Sequence, residues 1–125
     1  MKARIYYHHT DAGGVVYYGR YLDFLEEART QYLEERGVSV PQLAKQGTLF
    51  VVARQEIDYK APAFYGDVLD IDSRITNIGA AKLEFVCEVK NHKGEVICLG
   101  KTVMVCVDSS FKPKQIPEDI RNKLS

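Results

Sequence analysis

With 125 residues, the chain is sized for one domain that buries about two-thirds of its unfolded surface, and a second domain is not expected. Lys plus Arg and Asp plus Glu each total 17, so no net field draws the chain to DNA, RNA or an acidic membrane surface. No apolar run reaches membrane-spanning length, and the stretch from Met1 to Tyr7 lacks the apolar centre of a signal peptide; a cytoplasmic protein is expected.

A short first strand is expected at about residues 3 to 8. Beyond it, Tyr21, Leu22, Phe24, Leu25, Ala28, Tyr32 and Leu33 recur at helical spacing up to Gly37. That spacing predicts one long helix, with Gly37 suited to the left-handed turn that ends it. Ser39 and Pro41 then provide a cap and a first-turn proline for a shorter helix running to Gly47. From Leu49 the period changes to two: Leu83, Phe85, Cys87 and Val89 alternate with Lys82, Glu84, Glu88 and Lys90. Strands are expected at about residues 49 to 60, 67 to 78, 80 to 91 and 95 to 108, with turn residues Asn77-Ile78-Gly79-Ala80 and Asn91-His92-Lys93-Gly94 between them. The last strand is apolar on both faces and should be interior; Pro117 opens a short C-terminal helix. The economical architecture is α+β, an antiparallel sheet wrapped over one long helix. Such a sheet leaves an edge that natural proteins cover or pair, so a homodimer joined through its sheet is expected.

Chemistry concentrates in Thr10-Asp11-Ala12-Gly13-Gly14-Val15-Val16-Tyr17-Tyr18. A carboxylate and two glycines stand ahead of the helix start, where unpaired backbone N–H groups carry partial positive charge. Glycine lets a ligand approach the backbone without meeting a Cβ. An acid or base beside N–H donors suits hydrolysis of an activated acyl group. Asp is also common at caps and turns, Gly13-Gly14 at tight turns, and a tyrosine at a helix start in packing.

Three segments together resemble the hotdog-fold acyl-CoA thioesterases, in the branch of YbgC and 4-hydroxybenzoyl-CoA thioesterase. They are Tyr7 through Tyr17 followed by Tyr21 through Arg29, then Asp58 through Leu69, then the shorter Ile78-Gly79-Ala80-Ala81-Lys82. The resemblance implies a five-stranded antiparallel sheet around a central helix, dimers whose sheets join, and often tetramers. It places the catalytic carboxylate on Asp11 and the carbonyl-polarising backbone N–H at about Tyr18. Acyl-CoA is the implied substrate, held between subunits, with Gly79, Ala80 and Lys82 near the CoA phosphates. Where that branch often carries a histidine, this chain has Tyr18, so a role carried by that histidine does not transfer.

On this reading Asp11 activates water or attacks the thioester carbonyl itself. Gly13 and Gly14 admit the substrate, and Tyr17, Tyr18 and Tyr21 line a pocket for a short acyl or, alternatively, an aryl group. No metal or redox cofactor is required. His8 and His9, as neighbours on a strand, should point to opposite faces and not converge on one ion. Cys87, Cys98 and Cys106 lie in strand interiors with no cationic neighbour to lower a thiol pKa, and are expected as buried, reduced thiols. Lys60, Lys101 and Arg54 are further phosphate candidates on charge alone. The competing reading is a hotdog protein that binds acyl-CoA or acyl carrier protein without turnover. A hotdog dehydratase is disfavoured because residues 20 to 37 contain no histidine.

Overall fold

The change from helical to alternating spacing at Leu49 divides the chain as its side chains demand. The computed structural model, which describes residues 1–125, contains strands β1 (Lys2–Arg4), β2 (Leu49–Tyr59), β3 (Val68–Ile78), β4 (Lys82–Lys90) and β5 (Val96–Val107), with helices α1 (Arg20–Glu35), α2 (Val40–Lys45) and α3 (Glu118–Leu124). All strand pairs are antiparallel in the order β1-β3-β4-β5-β2. The expected α+β hotdog arrangement is therefore present, with β5 interior. No helix is long and apolar enough to cross a membrane.

Helix α1 ends as its glycine requires. Gly37 has φ +79°, its N–H donates to Glu34 O, and the Val38 N–H reaches back to Leu33 O at 2.9 Å. Those two bonds close a left-handed cap, sealed by the buried Leu33 and Val38. Ser39 caps α2 by accepting from the Gln42 N–H. Tyr21, Phe24, Leu25 and Ala28 of α1 bury with Leu69, Ile71, Cys87, Val89, Ile97 and Cys98 of the sheet. A second cluster, Leu33, Leu43, Leu83, Phe85, Cys106, Ile116, Ile120 and Leu124, fills the other end. Arg29 and Thr102 are buried polar residues on the same inner face.

The first strand is shorter than its composition suggests. It ends at Arg4, and Tyr7–His9 form a 3-10 turn instead of continuing it. The turn is closed by the Tyr6 N–H donating to His9 Nδ1 at 2.9 Å. This corrects the expectation that His8 and His9 diverge: their ring centroids lie 4.0 Å apart, and His9 meets Phe24 edge-on.

Candidate active site

Asp11 sits in a loop that folds back on itself. Thr10 bridges Val16, the Asp11 N–H donates to Val15 O, and the Gly14 N–H donates to Asp11 O. Gly14 has φ +82°, a conformation that disfavours any residue with a Cβ. The Asp11 Oδ1 atom accepts the Gly13 N–H at 2.8 Å, which fixes the side chain and leaves Oδ2 without a partner in the chain. A Cβ at Gly13 would lie 3.1 Å from that Oδ1, so glycine there lets the carboxylate close on the backbone. Asp11 is exposed.

Helix α1 starts at Arg20 with Gly19 as its N-cap and no side-chain cap. Asp11 is thus a turn former and not the helix cap. The loop is anchored beside the helix start by the Val16 N–H donating to Ala63 O and the Tyr17 N–H donating to His9 O. At the start itself, two successive carbonyls are held: Tyr17 O accepts the Arg20 N–H at 2.9 Å, and Tyr18 O accepts the Tyr59 hydroxyl at 3.1 Å. The N–H groups of Tyr18 and Gly19 have no acceptor in the chain. Two oriented, unfilled donors at a helix N-terminus are what a developing oxyanion requires.

Beside these donors lies a cavity of about 340 Å³ lined by Val16, Tyr18, Tyr21, Tyr59, Lys60, Ala61 and Pro62. Its volume is at the lower end of the range for small-molecule pockets. Tyr18 and Tyr21 line it as expected, whereas the Tyr17 ring lies over Gly19, where a Cβ would meet its Cε2 at 2.8 Å. Tyr17 is placed against Tyr18, with ring centroids 4.7 Å apart, and the neighbouring Tyr18 phenol holds its hydroxyl above the usual phenol pKa. Tyr59, Ala61 and Pro62 were not assigned to the pocket from sequence, although the segment from Asp58 to Pro62 carried part of the resemblance. Burial raises the Tyr21 phenol to about 12, so this hydroxyl stays protonated at neutral pH.

Neither histidine bonds Asp11. His9 Nδ1 serves the Tyr6 N–H, and desolvation followed by the charge of His8 lowers the His9 pKa. The three thiols are free and buried. Burial pushes Cys87 to about 12 and Cys98 to about 11, and raises Cys106; none is a thiolate nucleophile at neutral pH.

Gly79, Ala80 and Lys82 form the β3–β4 turn. The Gly79 N–H donates to Lys82 O, and Arg121 Nη2 donates to Gly79 O at 2.7 Å, so α3 pins the turn. Within one chain this turn is far from Asp11. Tyr59, which holds Tyr18, pairs with Cys98 opposite Val89, while Lys82 pairs with Val105 at the other end of β4. The span of that strand is about 27 Å at ~3.4 Å per residue. A larger depression of about 390 Å³, lined by Arg54, Glu56, Glu84 and Lys101 among others, contains none of these residues.

A family model described as the thioesterase-like superfamily matches residues 6–124. The chain is 36% identical over 118 residues to the acyl-CoA thioester hydrolase YbgC of Escherichia coli, covering 94% of this chain and 88% of that protein. It is likewise 36% identical to the acyl-CoA thioesterase YbgC of Haemophilus influenzae, covering 97% and 90%. Among solved structures, the DHNA-CoA thioesterase of Staphylococcus aureus superposes with a TM-score of 0.94 at 27% identity, covering 98% of this chain and 85% of that one.

Proposed function

The chain belongs to the thioesterase-like superfamily, and from that premise we propose that it is an acyl-CoA thioesterase acting on short acyl groups. Asp11 is the base or nucleophile and the start of α1 is the electrophile. The observation that carries this is the Asp11 carboxylate, fixed through Oδ1 with Oδ2 open, in a loop anchored beside two unfilled N–H groups. In the general-base route Oδ2 takes a proton from water as its oxygen attacks the thioester carbonyl. The Tyr18 and Gly19 N–H groups receive the oxyanion, and collapse expels CoA as a thiolate. In the nucleophilic route the carboxylate attacks the thioester carbonyl and the C–S bond breaks to release CoA thiolate, and water then cleaves the mixed anhydride to free acid and the regenerated carboxylate. Neither route needs a metal or redox cofactor.

The acyl group enters the tyrosine-lined cavity. Its aromatic walls support an aryl acyl group as the second reading. The CoA phosphates meet Gly79, Ala80 and Lys82 of a second copy, because two chains joined antiparallel along the free edge of β2 bring that distant turn to the Asp11 end. A homodimer is the minimal working unit, and a tetramer is its doubling. The setting is cytoplasmic, with acyl carrier protein as the alternative carrier. Free-thiol release from short-chain, long-chain and aryl acyl-CoAs by wild type and Asp11→Ala tests the proposal. Release that the variant loses supports it and ranks the acyl groups. Saturable acyl-CoA binding without release overturns it in favour of a binding protein.

A further inference from the structure

Gly19, the N-cap of α1, has φ −69° and ψ −21°, an ordinary right-handed conformation open to any residue with a Cβ. As a cap it supplies no side-chain acceptor, and Asn, Asp or Ser would serve the helix better. The backbone therefore does not require glycine here, and the cap gains little from it. What requires it is the ring of Tyr17. A Cβ on Gly19 would lie 2.8 Å from Tyr17 Cε2 and 3.3 Å from its Cδ2.

The same tyrosine joins the acid loop to the helix. Its N–H donates to His9 O and its O accepts the Arg20 N–H, both at 2.9 Å. The pairing of Thr10 with Val16 turns the 4% exposed Val16 inward, so the next residue on each segment, Asp11 and Tyr17, faces outward on one side. The two are diagonal neighbours there, a separation that an aromatic side chain can span. In keeping with this, the Asp11 charge adds to the Tyr18 phenol and to desolvation in raising the Tyr17 pKa. One residue thus meets the face of the carboxylate, the helix start, and the glycine whose N–H is one of the two open donors.

We propose that Tyr17 is a positioning residue: its ring, seated where Gly19 has no Cβ, sets the spacing between the Asp11 carboxylate and the Tyr18 and Gly19 N–H groups. This rests on the thioesterase reading above and adds the residue that holds its two halves in register. In this role the ring touches no reacting atom. It holds the donor peptide against the loop that carries the acid, so that both meet one thioester carbonyl.

Thiol release by wild type, Tyr17→Ala, Tyr17→Phe, Gly19→Ala and the double variant Tyr17→Ala/Gly19→Ala, with a thermal melt of each, tests this. Tyr17 is 44% exposed, and the Gly19 backbone accepts alanine, so the variants remain folded. Loss of the ring, or its displacement by a Cβ on Gly19, should each lower kcat by about 10- to 100-fold with KM within about threefold, the scale of a small misplacement of reacting groups. Tyr17→Phe restores the ring and should recover kcat to within about fivefold of wild type. The double variant should be no slower than Tyr17→Ala alone, because the new Cβ then meets no ring, and such non-additivity marks a contact. An active wild type whose Gly19→Ala variant keeps kcat within about threefold overturns the role of the ring and leaves the thioesterase standing. Additive losses in the double variant, or losses confined to KM or melting temperature, do the same. A Tyr17→Phe as slow as Tyr17→Ala hands the role to the hydroxyl and overturns the proposal. A wild type that releases no thiol from any acyl-CoA overturns the thioesterase reading and this role with it.

Discussion

Asp11→Asn separates the turn bond that Asp11 makes from the catalysis proposed for it. Its Oδ1 accepts the Gly13 N–H at 2.8 Å, and an asparagine oxygen in the same position keeps that bond, so the loop retains its shape. The amide cannot take a proton from water or act as a carboxylate nucleophile. Turnover should fall roughly 10²–10⁴-fold, the usual contribution of a general base, which corresponds to about 3–5 kcal/mol of barrier. Stability should be nearly unchanged. Asp11→Ala loses the same chemistry and also the turn bond, a further ~1 kcal/mol of stability at an exposed site. The assay is kcat from thiol release on a short-chain acyl-CoA, paired with thermal melts of all three proteins. If Asp11→Asn keeps kcat within about threefold of wild type while Asp11→Ala loses both activity and melting temperature, the carboxylate is structural and the mechanism fails.

Three other outcomes follow from geometry already given. Tyr59→Phe removes the donor to Tyr18 O and frees the peptide that carries the Gly19 N–H; kcat should fall by roughly tenfold with little change in KM, and a KM effect alone would make Tyr59 a wall of the pocket. Gly100→Ala drives a Cβ to within 2.8 Å of the buried Leu25, at about 1–3 kcal/mol of overpacking and a Tm lower by about 4–12 °C; an unchanged Tm would show that α1 can move off the sheet. Above about pH 9 stability should decline, because unfolded thiols ionise from 9.0 whereas native Cys87 and Cys98 hold their protons to about 12 and about 11. Native Tyr21, raised from 10.0 to about 12, adds to the decline. The unfolded state then binds fewer protons, giving a slope of up to ~1.4 kcal/mol per pH unit for each group. Urea unfolding that is flat from pH 8 to about pH 10.5 would contradict this burial.

What sequence made visible was what repeats locally. Alternating Leu83, Phe85, Cys87 and Val89 located β4, and Gly37 and Ser39 located helix ends, because period and capping are properties of neighbouring residues. Tyr6-Tyr7-His8-His9 was misread as strand because its aromatic composition favours extended chain, while one side-chain bond from His9 Nδ1 to the Tyr6 N–H bends it. Tyr59 escaped assignment because its partner, the Tyr18 carbonyl, is 41 positions away, and no period encodes that contact. Arg29 did leave a trace: it falls between Leu25 and Leu33 at four-residue spacing on a buried face. A charge in an apolar stripe is a signal for a polar partner across the core, here the Thr102 hydroxyl.

The two margins of the sheet are unequal. β2 forms one edge along its whole length of 11 residues, whereas the opposite edge changes strand: the 3 residues of β1 pair with Val68 to Asp70, and β3 itself forms the edge beyond them, with Lys2 and Asp70 placing charges beside the change. A molecule with two smooth adhesive margins can stack without limit into a filament; a margin broken by a change of strand and flanked by charge is a poorer template. In the proposed dimer the smooth margin is used up by the first union, and crowding or overexpression should then yield more pairs and not longer chains.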